Sequence, residues 1–342
     1  MNPWELLEHK IDVLRDLDPL VEQLIAEHKA KQSLWYSSDF LPGSSHEDIP
    51  EKDAQVRSLR DRAKGIPDAA RIALTLNLLT EEGLPHFHRI IADHLKGKGE
   101  HWNAWNNLWT AEEDRHGNVL RDYMRDSRLV NFREVEALQA RYLEKGFSPD
   151  WSADPYELFL YTTLQERATA VAHLNTGKYV RDHEPLILGI TGNIAADESR
   201  HYAFYFKVFA ELLKADPNHA MASAAKMLPS IDMPGISIDS FTQYADVIRR
   251  AGIYGPRHYQ DIVEKVIAGW KLEECAGLDA QGRQAQERAC GIPRRLEKVI
   301  DRMERGMQQK SYSFPVIYGR FIDGLNEKPI GISFFVPPVS SD

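Results

Sequence analysis

Apolar side chains recur along this chain in steps of three and four over long stretches, the spacing of one face of a helix. The pattern predicts an amphipathic helix over residues 4–32 and long helices over roughly 67–95, 103–127, 153–181 and 184–214. Pro42, Gly43, Ser44 and Ser45 mark a loop after the first of these. Pro155 and Pro185 stand near two helix starts, where a missing N–H costs nothing. Shorter helical patterns cover 240–252, 256–273, 279–290 and 293–310. Toward the C-terminus the period changes: residues 312–318 and 330–336 are β-prone and flank a Gly/Asn-containing turn, which predicts a small hairpin. No low-complexity linker interrupts the chain. The expectation is an all-α single domain, with a bundle core over about 67–214, flanking helices within 1–66 and 215–310, and the hairpin within 311–342.

Four of the predicted inward faces carry acids. On the 103–127 helix the stripe Asn106, Trp109, Glu113, His116, Leu120 has a carboxylate and an imidazole at its centre, where an apolar pair belongs. The 184–214 helix repeats this: Ile187, Thr191, Ile194, Glu198, His201, Tyr205 and Val208 share one face. The other two helices each place a single Glu in such a stripe, Glu81 after Leu74 and Leu78, and Glu166 between Thr162 and Thr169. Glu81 to Glu113 and Glu166 to Glu198 are the same separation, 32 positions (113 − 81 and 198 − 166). One Glu-x-x-His pair alone is a weak signal. A doubled hairpin, each half supplying one Glu and then one Glu-x-x-His, is the ligand set of a di-iron or di-manganese carboxylate bundle.

The reason is charge. Four carboxylates in a helical core repel one another and each loses its hydration at a cost of about several kcal/mol. Two divalent cations neutralise them, and oxygen-rich ligation with one imidazole per metal suits iron or manganese. Remaining histidines, among them His86, His88, His94 and His173, have no partner at ligand spacing and read as polar or capping residues. Trp105, Trp109, Phe159 and Tyr161 read as core.

Composition narrows the class. With 342 residues, 43% hydrophobic and 27% charged, the chain is ordinary globular material with room for a large core. No apolar run is long enough for a membrane helix, and no leader or transit pattern opens the sequence, so a cytoplasmic protein, or a mature plastid stromal one, is expected. Cys275 and Cys290 are too few for a thiolate metal site. A net charge of −9 argues against general nucleic-acid binding. Basic residues nonetheless cluster at Arg57, Arg60, Arg62, Lys64 and again at Arg294, Arg295, Lys298, Arg302, Arg305, leaving room for an acidic partner.

The residues 109–117 (WTAEEDRHG) and 197–201 (DESRH) resemble the two iron motifs of the soluble acyl-acyl-carrier-protein desaturases, the family of plant stearoyl desaturases. Residues 80–85 (TEEGLP) and 165–169 (QERAT) are similar to that family's helices with lone Glu ligands, and the similarity runs from about Trp35 to Gly319. The resemblance implies a ferritin-like fold and two iron ions cycling between Fe2+ and Fe3+, with O2 as co-substrate. Glu81, Glu113, His116, Glu166, Glu198 and His201 would be the ligands, Glu113 and Glu198 bridging. It further implies Thr169 beside the dioxygen site, an electron path through Trp35, Asp197 and His116, ferredoxin as donor, acyl carrier protein as partner, and a homodimer.

There are departures. The segment from Glu81 to Glu113 is shorter than in the plant enzymes, and Asp114 and Ser199 replace Asn and Lys. Leu158 stands where plant stearoyl enzymes have Gly near the deep end of the acyl cavity, and Asp93 replaces a smaller residue there, which predicts a shorter substrate. The ligand set alone also admits a di-iron hydroxylase or a ferritin-like iron-oxidising protein.

Overall fold

A computed structural model describes residues 2–42, 49–95, 97, 99–229, 234–305 and 310–323. The helices within them are α1 (Pro3–Asp16), α2 (Asp18–Lys31), α3 (Ile49–Lys64), α4 (Asp68–Glu81), α5 (Leu84–Leu95), α6 (Glu100–Asp126), α7 (Phe132–Lys145), α8 (Pro155–Val180) and α9 (Pro185–Ala215). They continue with α10 (Pro217–Met227), α11 (Phe241–Arg250), α12 (Pro256–Gly269), α13 (Ala280–Cys290) and α14 (Ile292–Arg305). Two short strands, β1 (Ser311–Ser313) and β2 (Phe321–Asp323), pair antiparallel with Tyr312 opposite Ile322.

The long helices start where the sequence signals them. Asp154 accepts from the backbone of Tyr156 and Glu157 at the head of α8, and Glu184 accepts from Leu186 N at the head of α9, each with Pro in the first turn. Two expected helices are each broken in two. The 4–32 pattern interrupts at Leu17, where Pro19 cannot continue the hydrogen-bond ladder of α1. The 67–95 pattern interrupts at Glu82–Gly83, with Pro85 in the first turn of α5. Glu81 thus sits at a helix end, not in mid-helix. The hairpin forms with different strands: β2 is Phe321–Asp323, and the stretch from Phe314 to Ile317 leaves the strand for a 3-10 turn at Pro315–Ile317. Residues 330–336, expected as the second strand, and Gly43, Ser44 and Ser45 of the expected loop, lie outside the described residues.

α4, α6, α8 and α9 form the four-helix core, with α2 laid along α6 and α9, α11 on α4, and α10 and α12 on α8. Gly177 lets α8 and α9 close up: a Cβ there would lie 2.2 Å from Thr191 Oγ1 and 3.0 Å from Leu188 Cα. The apolar interior divides into two plugs. One holds Phe87, Trp102, Trp105, Phe159, Leu164, Phe204 and Phe209; the other holds Leu74, Leu78, Val119, Leu120, Ile187, Ile190 and Ile194. On α6 the first plug ends at Trp109 and the second resumes at Val119; on α9 the gap lies between Ile194 and Phe204. The acids and imidazoles fill that seam.

Candidate metal centre

The six expected ligands converge. Glu81, Glu113, His116 and Glu198 form one group whose ligand atoms lie within 4.8 Å of one another, and Glu113, Glu166, Glu198 and His201 form a second. Glu113 and Glu198 belong to both. All six are buried, at most 7% exposed.

Each imidazole faces a cage of carboxylates. His116 Nδ1 lies 3.6 Å from Glu81 Oε2, 3.5 Å from Glu113 Oε2 and 3.6 Å from Glu198 Oε1. His201 Nδ1 lies 2.8 Å from Glu113 Oε1, 3.4 Å from Glu166 Oε2 and 3.8 Å from Glu198 Oε2. Yet His116 Nδ1, His201 Nδ1 and Glu113 Oε1 make no hydrogen bond among the described residues. Ligands held about 2.0–2.2 Å from one ion come to lie roughly 3–3.6 Å from each other. Orphaned donor atoms at that spacing fit a cation at each cage.

The outer nitrogens of the two imidazoles fix the ring states. His116 Nε2 donates to Asp197 Oδ2 at 3.3 Å, and His201 Nε2 donates to Glu112 Oε2 at 2.7 Å. A proton held on Nε2 leaves the Nδ1 lone pair for a metal. The bonds are crossed: α9's acid orients α6's imidazole and α6's acid orients α9's. Sequence reasoning used Asp197 and missed Glu112, although a signal existed. Glu112 precedes Glu113 as Asp197 precedes Glu198, so the pattern acid-Glu-x-Arg-His occurs twice.

Glu112 is held further by His28 Nε2 of α2 at 3.0 Å and by Gln32 just beyond the end of α2. Burial alone would raise its pKa, but the bonds from His201 and His28 keep it far below the usual carboxylate range. With His28 and His201 it makes another candidate group, each member of which is engaged in these bonds. Glu112→Gln is expected to weaken iron affinity about 10–100-fold, the usual effect of losing an orienting carboxylate. Competition with a chelator of known affinity measures it.

The residues expected to form an electron path also meet. Trp35 is buried, its Nε1 donates to Asp197 Oδ2 at 3.0 Å, and its ring lies parallel to that of His116 with centroids 6.0 Å apart. Arg115 donates to the same Asp197 oxygen at 3.1 Å and covers the Trp35 ring; Arg200 pairs with the other oxygen.

The lone glutamates have partners that sequence reasoning did not assign. His173 Nε2 sits 2.7 Å from Glu81 Oε1, and Trp109 Nε1 donates to Glu166 Oε1 at 3.0 Å. Both came from helices expected to face the centre, but nothing in their spacing separated them from core positions. Thr169 turns its hydroxyl back to Gln165 O and Glu166 O at 3.0 and 3.1 Å. It lines a narrow cleft with Thr80, Leu84, Phe87, Trp109 and the carboxylates Glu81, Glu113 and Glu198. Asp93, expected near the acyl cavity, is exposed on α5, because the apolar side of that helix is carried by Phe87, Ile90 and Ile91. Leu158 is fully buried.

A family model described as "Fatty acid desaturase" matches residues 9–318. The stearoyl-[acyl-carrier-protein] 9-desaturase 1 of rice (Oryza sativa subsp. indica) is 37% identical over 330 residues, covering 91% of this chain and 86% of that protein. The stearoyl-[acyl-carrier-protein] 9-desaturase of cotton (Gossypium hirsutum) is 35% identical over 315 residues, 88% of this chain and 79% of that one. Among solved structures, the X-ray structure of the Mycobacterium tuberculosis protein DesA2, described as an acyl-ACP desaturase, superposes with a TM-score of 0.57 at 20% identity, covering 80% of this chain and 98% of that one. At that identity the likeness speaks for the fold.

Proposed function

The chain belongs to the fatty acid desaturase family, and from that premise we propose that it places a cis double bond in an acyl chain carried on acyl carrier protein. The observation that carries this reading is the pair of four-ligand groups sharing Glu113 and Glu198. Glu81, Glu113, His116, Glu166, Glu198 and His201 would hold a two-iron centre, Glu113 and Glu198 being common to both groups.

When bound, such a centre supplies dioxygen activation by two external electrons and the abstraction of two hydrogens. The chain's residues do the rest. The crossed bonds from Asp197 and Glu112 hold both imidazoles in the ligating tautomer. Leu84, Phe87 and Trp109 give the cleft an apolar wall against which the reacting part of an acyl chain would lie. Thr169, its hydroxyl held by Gln165 O and Glu166 O, lines the same cleft beside the carboxylates. Trp35, through Asp197, joins the His116 imidazole to the loop before α3, a route for electrons from a ferredoxin-type donor. Positioning along the cleft decides which carbons react.

An acidic carrier needs a basic landing surface, and α14 offers one. Arg294, Arg295, Lys298, Arg302 and Arg305 are exposed there, together with Val299 at 55% and Met303 at 47%. The other cluster is more engaged: Arg62 donates to Glu184 and Arg60 to Asp126 O. Lys298→Glu combined with Arg302→Glu is expected to raise KM for the acyl carrier about 10-fold or more with kcat little changed, because the lost charges act on encounter. Steady-state kinetics at low and high salt test it, the wild-type advantage shrinking as salt screens the surface.

No helix among the described residues is long and apolar enough to cross a membrane. We take a homodimer as the working assembly, on the family resemblance alone. The decisive experiment supplies purified chain, iron, ferredoxin, its reductase and a ladder of acyl carriers, with products read by mass spectrometry. A product lighter by two hydrogens supports the proposal. One heavier by an oxygen atom identifies a hydroxylase, and iron uptake far beyond two per chain without acyl turnover identifies an iron-oxidising protein.

A further inference from the structure

Far from the seam, at the corner where α1 crosses the α9–α10 junction, His9, Asp216 and His219 bring their ligand atoms within 4.8 Å of one another. We propose that these three residues are a second, separate metal site, taking one divalent ion of the zinc type and pinning α1 to the bundle. Asp216 lies 15 positions beyond His201 (216 − 201), about 22 Å along α9 at 1.5 Å per residue, so the two centres share no ligand.

The spacing can accommodate an open tetrahedral site. His9 Nε2 is 3.0 Å from Asp216 Oδ2, and His219 Nδ1 is 3.0 Å from the same oxygen. Ligand atoms about 2.0–2.1 Å from a tetrahedral ion lie roughly 3.3 Å apart, so a small outward movement of the two imidazoles admits the ion. Two imidazoles and one carboxylate suit zinc and its late first-row neighbours. The carboxylate is anchored, with its side chain 9% exposed, while the imidazoles reach solvent at 42% and 33%, which provides an entry path and a fourth position for water.

A second observation points the same way. Asp216 occupies the N-cap position of α10, where an aspartate ordinarily turns its carboxylate onto the helix's first free N–H groups. Its side chain makes no such bond. The carboxylate faces the two imidazoles, and the buried Tyr156 hydroxyl donates to Oδ2 at 3.1 Å, an orienting contact of the kind metal-bound carboxylates receive. Lys10, next to His9 on α1, is paired with Asp154 at 2.5 Å. The ion would tie three helices together, α1 through His9, the end of α9 through Asp216 and α10 through His219, over the first turn of α8.

The test uses the full-length, iron-loaded protein dialysed against micromolar free Zn2+, with zinc and iron counted in the same sample. Wild type is expected to hold one more zinc per chain than either His9→Ala or His219→Ala, with iron equal in all three. His219→Cys, which restores a ligand, is expected to recover the ion. Circular dichroism and melting in EDTA establish that the variants fold without metal. Equal zinc in wild type and both alanine variants overturns the proposal and leaves a hydrogen-bonded His-Asp-His cluster. Co2+ gives an independent reading: ligand-field absorption present in wild type and lost in His219→Ala supports the site, and its persistence in that variant refutes it.

Discussion

Glu198→Gln is expected to abolish paired iron loading and lower turnover by roughly three orders of magnitude or more, about 4 kcal/mol at 1.36 kcal/mol per decade. The same substitution is expected to leave the metal-free fold within about 1 kcal/mol of wild type. The two halves of this expectation come from one electrostatic fact. Burial, followed by the neighbouring charges of Glu113 and Glu166, pushes the Glu198 carboxyl well above its usual range. That shift favours the protonated acid in the metal-free fold, and a neutral amide imitates that form. Metal needs the ionised form. The imidazoles behave similarly: burial alone would lower His116 and His201, but Glu113 and Asp197 around His116, and Glu112 and Glu113 around His201, raise both well above the ordinary histidine value.

Iron binding must therefore displace protons from up to three groups, Glu198, His116 and His201. The sign follows. Raised values mean protons are held in the metal-free fold and released on loading, so iron affinity rises with pH and falls as the centre is acidified. For the metal-free protein, the Glu198 carboxyl would ionise near 4.5 when unfolded and at higher pH when folded, so its contribution to stability is lost as pH rises. Calorimetric titration in buffers of different ionisation enthalpy counts the released protons, and urea unfolding compares the apo forms. Glu198→Gln is expected to release fewer protons. Unchanged stoichiometry of iron in that variant would remove Glu198 from the ligand set.

Leu158→Ala should shift substrate preference toward longer acyl chains, by about two carbons, and cost about 2–5 kcal/mol of stability. Leu158 is fully buried, among the same apolar plug as Phe87, Trp102 and Phe159. It stands eight positions before Glu166 on α8 (166 − 158), about 12 Å along the axis from the carboxylates. A chain that reacts beside Glu166 and runs toward the start of α8 meets this side chain near its methyl end, and alanine frees room for further methylenes. Competition among acyl carriers of graded length gives the preference, and thermal unfolding gives the cost. A variant that is destabilised but keeps the wild-type length profile would place the acyl end elsewhere.

The centre was legible in the sequence because ligation demands period and repetition together. Glu113 with His116 and Glu198 with His201 must share a helix face, and the equal 32-residue separations reveal the duplication. The outer contacts were not legible for the opposite reason. His28 reaches Glu112 from α2 across 84 positions, and Trp35 reaches Asp197 across 162, distances at which no local pattern carries information. His173 was hidden differently. It is the position seven after Glu166, an ordinary core step, and only the ending of α4 at Glu81 brings that carboxylate to it. The two broken helices were readable from Pro19, Gly83 and Pro85, and periodicity overrode those breakers. In the hairpin, residues 312–318 have strand-forming side chains throughout, but Pro315 ends the strand and Tyr318 takes a left-handed conformation.

The exchanged acids between α6 and α9 bear on how such a chain can be divided. Each repeat carries one imidazole that its own acid never touches, so neither repeat alone contains a fully oriented ligand. Severing the backbone between α7 and α8 would leave two fragments, each with a Glu-x-x-His pair whose ring is free to turn. Iron of the native kind would then reappear only on mixing the pieces, with a dependence on the product of their concentrations.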